Sequence, residues 1–109
     1  MQPKVSIITV SYNAEKMISE TILSVLSQTY CDYEYIFIDG NSSDKTVEVI
    51  GKYKQCFEGK NVDYLLISEP DKGIYDAMNK GTALAKGEWI LMLNAGDMLA
   101  HERVLEDFF

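Results

Sequence analysis

The chain has 109 residues, 47% hydrophobic and 25% charged, which is the composition of one soluble globular domain with a real core. Seventeen acidic against ten basic residues give a net charge of −7, which argues against nucleic acid as a partner because phosphate-binding surfaces are basic. No stretch approaches the roughly 20 apolar residues that a membrane span requires.

The N-terminal residues and the cysteines indicate where in the cell the protein is located. Residues 1–4 lead directly into an apolar run, without the pattern of a secretory signal peptide. Cys31 and Cys56 are the two cysteines, and they lack CxxC spacing, so we expect reduced thiols. These features predict a cytoplasmic protein without a transmembrane segment.

Four short apolar runs rich in β-branched residues alternate with segments of helical period. The runs are typical of buried parallel strands, and they cover residues 5–10, 33–38, 62–67 and 88–93. The segments between them carry apolar stripes made of Ile18, Ile22, Val25 and Leu26, then Val47, Ile50 and Tyr53, then Ile74, Ala77, Met78, Gly81 and Ala85. This alternation predicts right-handed βαβ crossovers and an α/β fold, an open, mostly parallel sheet with flanking helices.

Three helix ends can also be predicted. Ser43 and Asp44 are placed to cap the second helix, and Gly87 is placed to end the third. Residues 100–109 look like the start of another helix, which ends on two aromatic residues. We expect the 109 residues to be the front part of a longer domain, with Phe108 and Phe109 exposed or covered by another copy of the chain.

The predicted strands release polar loops at one edge of the sheet, where open α/β sheets bind their ligands. The loops are residues 11–13, 39–44, 68–73 and 94–97. Together they form a site hypothesis, although each one alone is an ordinary turn.

Single residues in and near these loops leave alternatives open. Tyr12 could pack against the following helix or provide a platform for a nucleobase. Asp39 could shape its turn or accept a base N–H. Asp97 could cap the last helix or hold Mg²⁺ or Mn²⁺ against a diphosphate. Asp76 and Asn79, one turn apart on the third helix, fit a solvated face when taken alone.

Several common chemistries lack their motifs. The sequence has no GxGxxG after the first strand, no GxxxxGK[ST] phosphate loop and no GxSxG elbow. These absences argue against a dinucleotide-binding domain, a P-loop enzyme and a hydrolase of the elbow type.

Five motifs in consistent order resemble family 2 glycosyltransferases. They are VSIITVSYNA at 5–14, ILSVLSQTY at 22–30, YIFIDGNSSDKT at 35–46, SEPDKGIYDAMNKG at 68–81 and GEWILMLNAGD at 87–97. The match covers nearly the whole chain, so it is far more specific than any one motif. The resemblance implies a GT-A fold with a Rossmann-like nucleotide-binding half.

The resemblance also implies a function in bacterial surface polysaccharide synthesis. The expected reaction is inverting transfer from a nucleotide-sugar donor, a UDP-sugar, to a hydroxyl of a glycan or lipid-linked acceptor, assisted by Mg²⁺ or Mn²⁺. An acceptor of this kind is compatible with peripheral membrane association, and the C-terminal apolar helix with a homo-oligomer.

Site residues are carried over by their position in the motifs. Tyr12 would stack on the base, Asp39 would hydrogen-bond it, and Val10 would line the donor site. The remaining donor-binding residues implied by the motifs are Asp71, Lys72, Asp76 and Asn79. Asp97 would bind the metal, although Asn94 and Gly96 stand where the family has acids.

The family's catalytic domain is about twice this long, and its second half supplies the acceptor site and the general base. We therefore expect the base beyond Phe109. Two other functions remain open: a nucleotide-binding module without turnover, and, less well supported, a nucleotidyltransferase, whose basic, glycine-rich signature is missing after the first strand.

Overall fold

The computed structural model describes residues 2–109 as a parallel sheet with helices on both faces. The strands are β1 (Val5–Ser11), β2 (Tyr33–Asp39), β3 (Tyr64–Ser68) and β4 (Trp89–Met92). The helices are α1 (Ile18–Leu26), α2 (Thr46–Lys52), α3 (Lys54–Glu58), α4 (Ile74–Leu84) and α5 (Val104–Phe108). The strand order is β3-β2-β1-β4 and every pairing is parallel, which confirms the predicted α/β class.

Alternating side chains of β1 and β2 divide the core between the two faces of the sheet. Ile7 and Phe37 point to the face covered by α1, α2, α3 and α5, where the larger cluster of buried residues lies. Ile8 and Ile38 point to the other face, where α4 packs through Ala77. Since both central strands are buried on both faces, their sequences are mostly apolar, with Ser6, Thr9 and Glu34 as buried polar residues.

Helix α4 approaches the sheet closely because it carries a glycine at the contact. An added Cβ on Gly81 would lie 2.6 Å from Cγ2 of Ile8 and 3.4 Å from Cγ1 of Ile38. This contact packs α4 against β1 and β2, and the helix begins at Ile74, in the loop region after β3.

One predicted helix end was wrong, and another is shifted by one residue. Gly87 does not end α4, which stops at Leu84 with Ala85 as its extended C-cap residue. Gly87 instead lies against β1, where a Cβ would meet the Ser6 nitrogen at 2.7 Å. The residue at the N-cap of α2 is Lys45, with no side-chain cap hydrogen bond. Asp44, one residue earlier, accepts the Thr46 N–H at 2.9 Å.

The predicted C-terminal helix forms, but it is shorter, since α5 begins at Val104 rather than Ala100. Phe108 is exposed, whereas Phe109 is half-buried, with its ring 6.0 Å from that of Tyr30 and 6.4 Å from that of Trp89. Self-association through this helix stays a prediction. No helix within residues 2–109 is long and apolar enough to cross a membrane.

Candidate functional site

A cleft of about 640 Å³ opens at the carboxyl ends of the strands, where the sequence predicted a site. Its volume is within the range of small-molecule binding sites. The cleft is lined by residues from all four strand ends and from the approach to α1, namely Val10, Ser11, Tyr12, Ala14, Met17, Gly40, Asn41, Pro70, Asp71, Gly73, Ile74, Asn94 and Ala95. Of the predicted site residues, the structure therefore brings together Val10, Tyr12 and Asp71 on the cleft wall.

Tyr12 presents a flat aromatic surface at the cleft. Its side chain follows β1 directly, and the residue is 65% exposed. The next residue, Asn13, adopts a left-handed conformation with φ of 47°. The Asn13 N–H donates to Oγ of Ser42 at 2.8 Å, and Oδ1 of Asn13 accepts the Ser43 N–H at 2.8 Å. The loop is thus held while the ring stays available to a ligand.

Asp39 ends β2 and is fully buried, with 0% of its surface exposed. Its Oδ1 accepts Oγ–H groups of Ser11 and Ser42 at 2.8 and 2.6 Å. Its Oδ2 accepts the Ser42 N–H and the Ser68 hydroxyl, both at 2.8 Å. A carboxylate offers about four lone-pair sites, so these donors satisfy it entirely.

The ionisation of Asp39 follows from that environment. Burial alone would raise the pKa of its carboxyl group, but hydrogen bonds from Ser42, Ser11 and Ser68 together outweigh burial and hold the pKa below its ordinary value. The buried carboxylate is therefore charged at neutral pH, and it ties the ends of β1, β2 and β3 together. No motif in the sequence indicated this serine cluster.

Asp71 faces the same space from the loop after β3. Its Oδ1 accepts the Gly73 N–H at 3.0 Å. Its Oδ2 accepts no hydrogen bond from residues 2–109 and lies 3.0 Å from the position that a Cβ on Gly40 would occupy. Cδ1 of Tyr12 is 3.4 Å from that same position. The absent side chain of Gly40 thus lets a carboxylate and an aromatic ring approach one another.

Lys72, Asp76 and Asn79 do not line the cleft. Oδ2 of Asp76 accepts the Lys72 N–H at 2.9 Å, which closes the first turn of α4. Lys80 bridges Asp76 and Glu69 at 3.8 and 3.2 Å. Asn79 is exposed. The donor-site role of these three residues stays a prediction.

The predicted metal site offers few ligands. Within residues 2–109, no group of three or more His, Cys, Asp or Glu side chains is placed to hold a metal ion. Asp97 is exposed, and its Oδ2 accepts the Asn94 N–H at 3.1 Å. Asn94 lines the cleft, and its Oδ1 is buried without a hydrogen-bond partner among the described residues. One carboxylate and one unpaired amide oxygen fit a hard cation that takes its other ligands from phosphate and water.

Asp97 does not cap α5, which begins seven residues later, at Val104. The loop that carries it is held against α1 instead. The Gly96 N–H donates to Oγ1 of Thr21 at 2.8 Å, and the Leu99 N–H donates to Oγ of Ser24 at 3.1 Å. Gly96 has φ of 99°, a conformation that favours glycine over other residues.

Comparisons with known sequences agree on one protein family. The sequence model described as Glycosyl transferase family 2 matches residues 6–108. The putative teichuronic acid biosynthesis glycosyltransferase TuaG of Bacillus subtilis is 36% identical over 96 residues, which cover 88% of this chain and 37% of that protein. The chain thus spans about two-fifths or less of the length of such curated relatives.

Solved structures agree in fold. The crystal structure of S. aureus TarS 1–349 in complex with UDP-GlcNAc superposes with a TM-score of 0.86 at 25% identity, over 96% of this chain and 30% of that one. The mannosyltransferase PcManGT of Pyrobaculum calidifontis, in complex with GDP-Man and Mn²⁺, has a TM-score of 0.82 at 22% identity, over 94% and 30% of the two chains.

Proposed function

The chain belongs to glycosyl transferase family 2, and we propose that it forms the donor-binding part of an inverting enzyme that uses a UDP-sugar. One observation carries the proposal: the cleft at the strand ends combines the exposed ring of Tyr12 with the unpaired carboxylate oxygen of Asp71. An aromatic face beside a hydrogen-bond acceptor suits a nucleobase, which has a π-face and N–H donors at its edge. The UDP-GlcNAc complex of TarS supports a uridine nucleotide as the donor.

The diphosphate would lie toward the loop after β4. We propose that Mg²⁺ or Mn²⁺ is held there by the free oxygen of Asp97 and the unpaired amide oxygen of Asn94. A bound divalent cation would neutralise the charge that develops on the leaving diphosphate. The Mn²⁺ complex of PcManGT is compatible with this assignment.

The acceptor side of the reaction needs groups outside these 109 residues. We propose that the acceptor is a glycan or lipid-linked hydroxyl in surface polysaccharide synthesis, a process that the description of TuaG supports. The general base would come from a segment equivalent to the part of the relatives that this chain does not span. We expect this chain to bind and orient the donor, in the cytoplasm.

Calorimetric titration of the chain with UDP, with and without Mn²⁺, tests the proposal. We expect binding that Mn²⁺ strengthens. Asp97→Asn keeps an acceptor for the Asn94 N–H but removes the charge, so it should remove the gain from Mn²⁺. Asp63→Asn changes an exposed acid next to the opposite end of β3 and should keep that gain.

Three results are decisive. No UDP binding under either condition would reject the donor site. An equal Mn²⁺ effect in wild type and Asp97→Asn would reject the metal assignment alone. Transfer of GlcNAc from UDP-GlcNAc to a sugar acceptor by the 109 residues would overturn the placement of the general base outside them.

A further inference from the structure

We propose that Oδ2 of Asp71, and not the carboxylate of Asp39, accepts the ring N–H of the nucleobase that stacks on Tyr12. This inference rests on the proposed function and refines it, because it assigns the residue that reads the base. The two carboxylates differ in the number of hydrogen bonds that they already accept, four at Asp39 and one at Asp71.

Both oxygens of Asp39 already accept their full number of hydrogen bonds, so neither can accept another from a ligand. Four donors from Ser11, Ser42 and Ser68 occupy its two oxygens at 2.6–2.8 Å. Its surface is 0% exposed, and it does not line the cleft. A base could reach this carboxylate only by displacing a serine, and the displaced hydroxyl or N–H would then lose its own partner.

The carboxylate of Asp71, in contrast, has one oxygen that is free to accept a hydrogen bond from a ligand. One oxygen is held by the Gly73 N–H at 3.0 Å, which orients the carboxylate, and the other has no donor within residues 2–109. None of the ion pairs among the described residues includes Asp71, since the nearby Lys80 pairs with Glu69 and Asp76. An oriented, unneutralised acceptor on a cleft wall is suited to a charge-assisted hydrogen bond from a ligand.

Gly40 places this acceptor beside the aromatic ring. A Cβ at residue 40 would lie 3.0 Å from Oδ2 of Asp71 and 3.4 Å from Cδ1 of Tyr12. Any larger residue would push the carboxylate away from the ring. The backbone of Gly40 is not in the left-handed region, so the close approach of the two side chains is what favours glycine here.

Of the two oxygens of Asp71, Oδ2 is the better acceptor for a ligand, because Gly73 already uses one of the lone pairs of Oδ1. Uracil presents one ring N–H between two carbonyl groups, and a single donor of this kind fits Oδ2.

A thermodynamic cycle tests the assignment. UDP and N3-methyl-UDP, which lacks the ring N–H, are titrated against wild type and Asp71→Ala. We expect methylation to weaken binding to wild type by roughly 10- to 100-fold, as for the loss of a charge-assisted hydrogen bond. In Asp71→Ala the two ligands should bind within about threefold of each other, because the partner of the N–H is gone.

Two further variants sharpen the test. Glu69→Gln removes one charge from the same loop outside the cleft, so the full methylation penalty should remain. Gly40→Ala keeps Asp71 but displaces its carboxylate, so part of the penalty should disappear. A wild-type chain that binds no UDP would overturn the proposed function itself. A wild-type chain that binds UDP, with a full penalty retained in Asp71→Ala, would overturn only the role of Asp71.

Discussion

The buried carboxylate of Asp39 gives the most direct prediction of stability. Asp39→Asn preserves shape but replaces one acceptor oxygen by an NH₂ group that faces hydroxyl donors. Hydrogen bonds to a charged acceptor stabilise by about 1.5–3 kcal/mol each, against about 0.5–1.5 for neutral pairs. Four such bonds weaken together, and the removal of a buried charge offsets part of the loss. We expect the free energy of unfolding to fall by about 2–4 kcal/mol.

Urea unfolding at neutral pH, followed by far-ultraviolet circular dichroism, measures this change. Asp71→Asn is the matched control, since that carboxylate accepts one backbone N–H at the surface. Its cost should stay below about 1 kcal/mol. Equal destabilisation by the two variants, or an Asp39→Asn effect below that value, would refute the reasoning.

The remaining predictions concern the cleft, pH and two glycines. Tyr12→Ala should weaken UDP binding by roughly 5- to 150-fold in calorimetry, as for one lost base stack. Tyr75→Ala, at a 79% exposed position outside the cleft, should leave UDP binding unchanged. Equal losses in the two variants would contradict a stacking role for Tyr12. The depressed pKa of Asp39 adds stability that is complete above the carboxyl's unfolded pKa of about 3.9 and is lost as pH falls through its folded pKa. Asp39→Asn should flatten the acid limb of the unfolding curve, and an unchanged slope would contradict this assignment. Gly87→Ala should cost about 1–3 kcal/mol in urea unfolding, because its Cβ would lie 2.7 Å from a β1 backbone nitrogen. Gly51 lies in α2 with open space around it, so Gly51→Ala should instead raise the free energy of unfolding by about 0.5–1 kcal/mol. A similar loss of stability in both variants would contradict the steric explanation for Gly87.

The order of elements could be predicted because the apolar runs and stripes are local signals. The first apolar run predicts a strand that ends at Val10, and β1 ends one residue later, at Ser11. The stripe over Val47, Ile50 and Tyr53 predicts one helix, but the chain forms α2 and then α3 around Tyr53. Apolar periodicity continues across that junction, so it cannot show a break in the backbone.

The cleft could be predicted from topology, since carboxyl ends of parallel strands meet at one edge. The hydrogen bonding of each carboxylate could not be predicted, because it depends on residues that are distant in the sequence. Oγ of Ser11 and Oγ of Ser68 reach Asp39 from 28 and 29 residues away. Gly87 shows the same limit, since its close neighbour on β1 lies 81 residues earlier.

The serine cluster around Asp39 has a consequence for the folding pathway. A buried carboxylate is strongly unfavourable until its donors arrive, and here they come from β1, from β3 and from the loop after β2. A strand pair that forms in a shifted register would bury the charge with donors missing. Such a state would be unfavourable, so the cluster disfavours pairing in the wrong register and couples the docking of β1, β2 and β3 to one another.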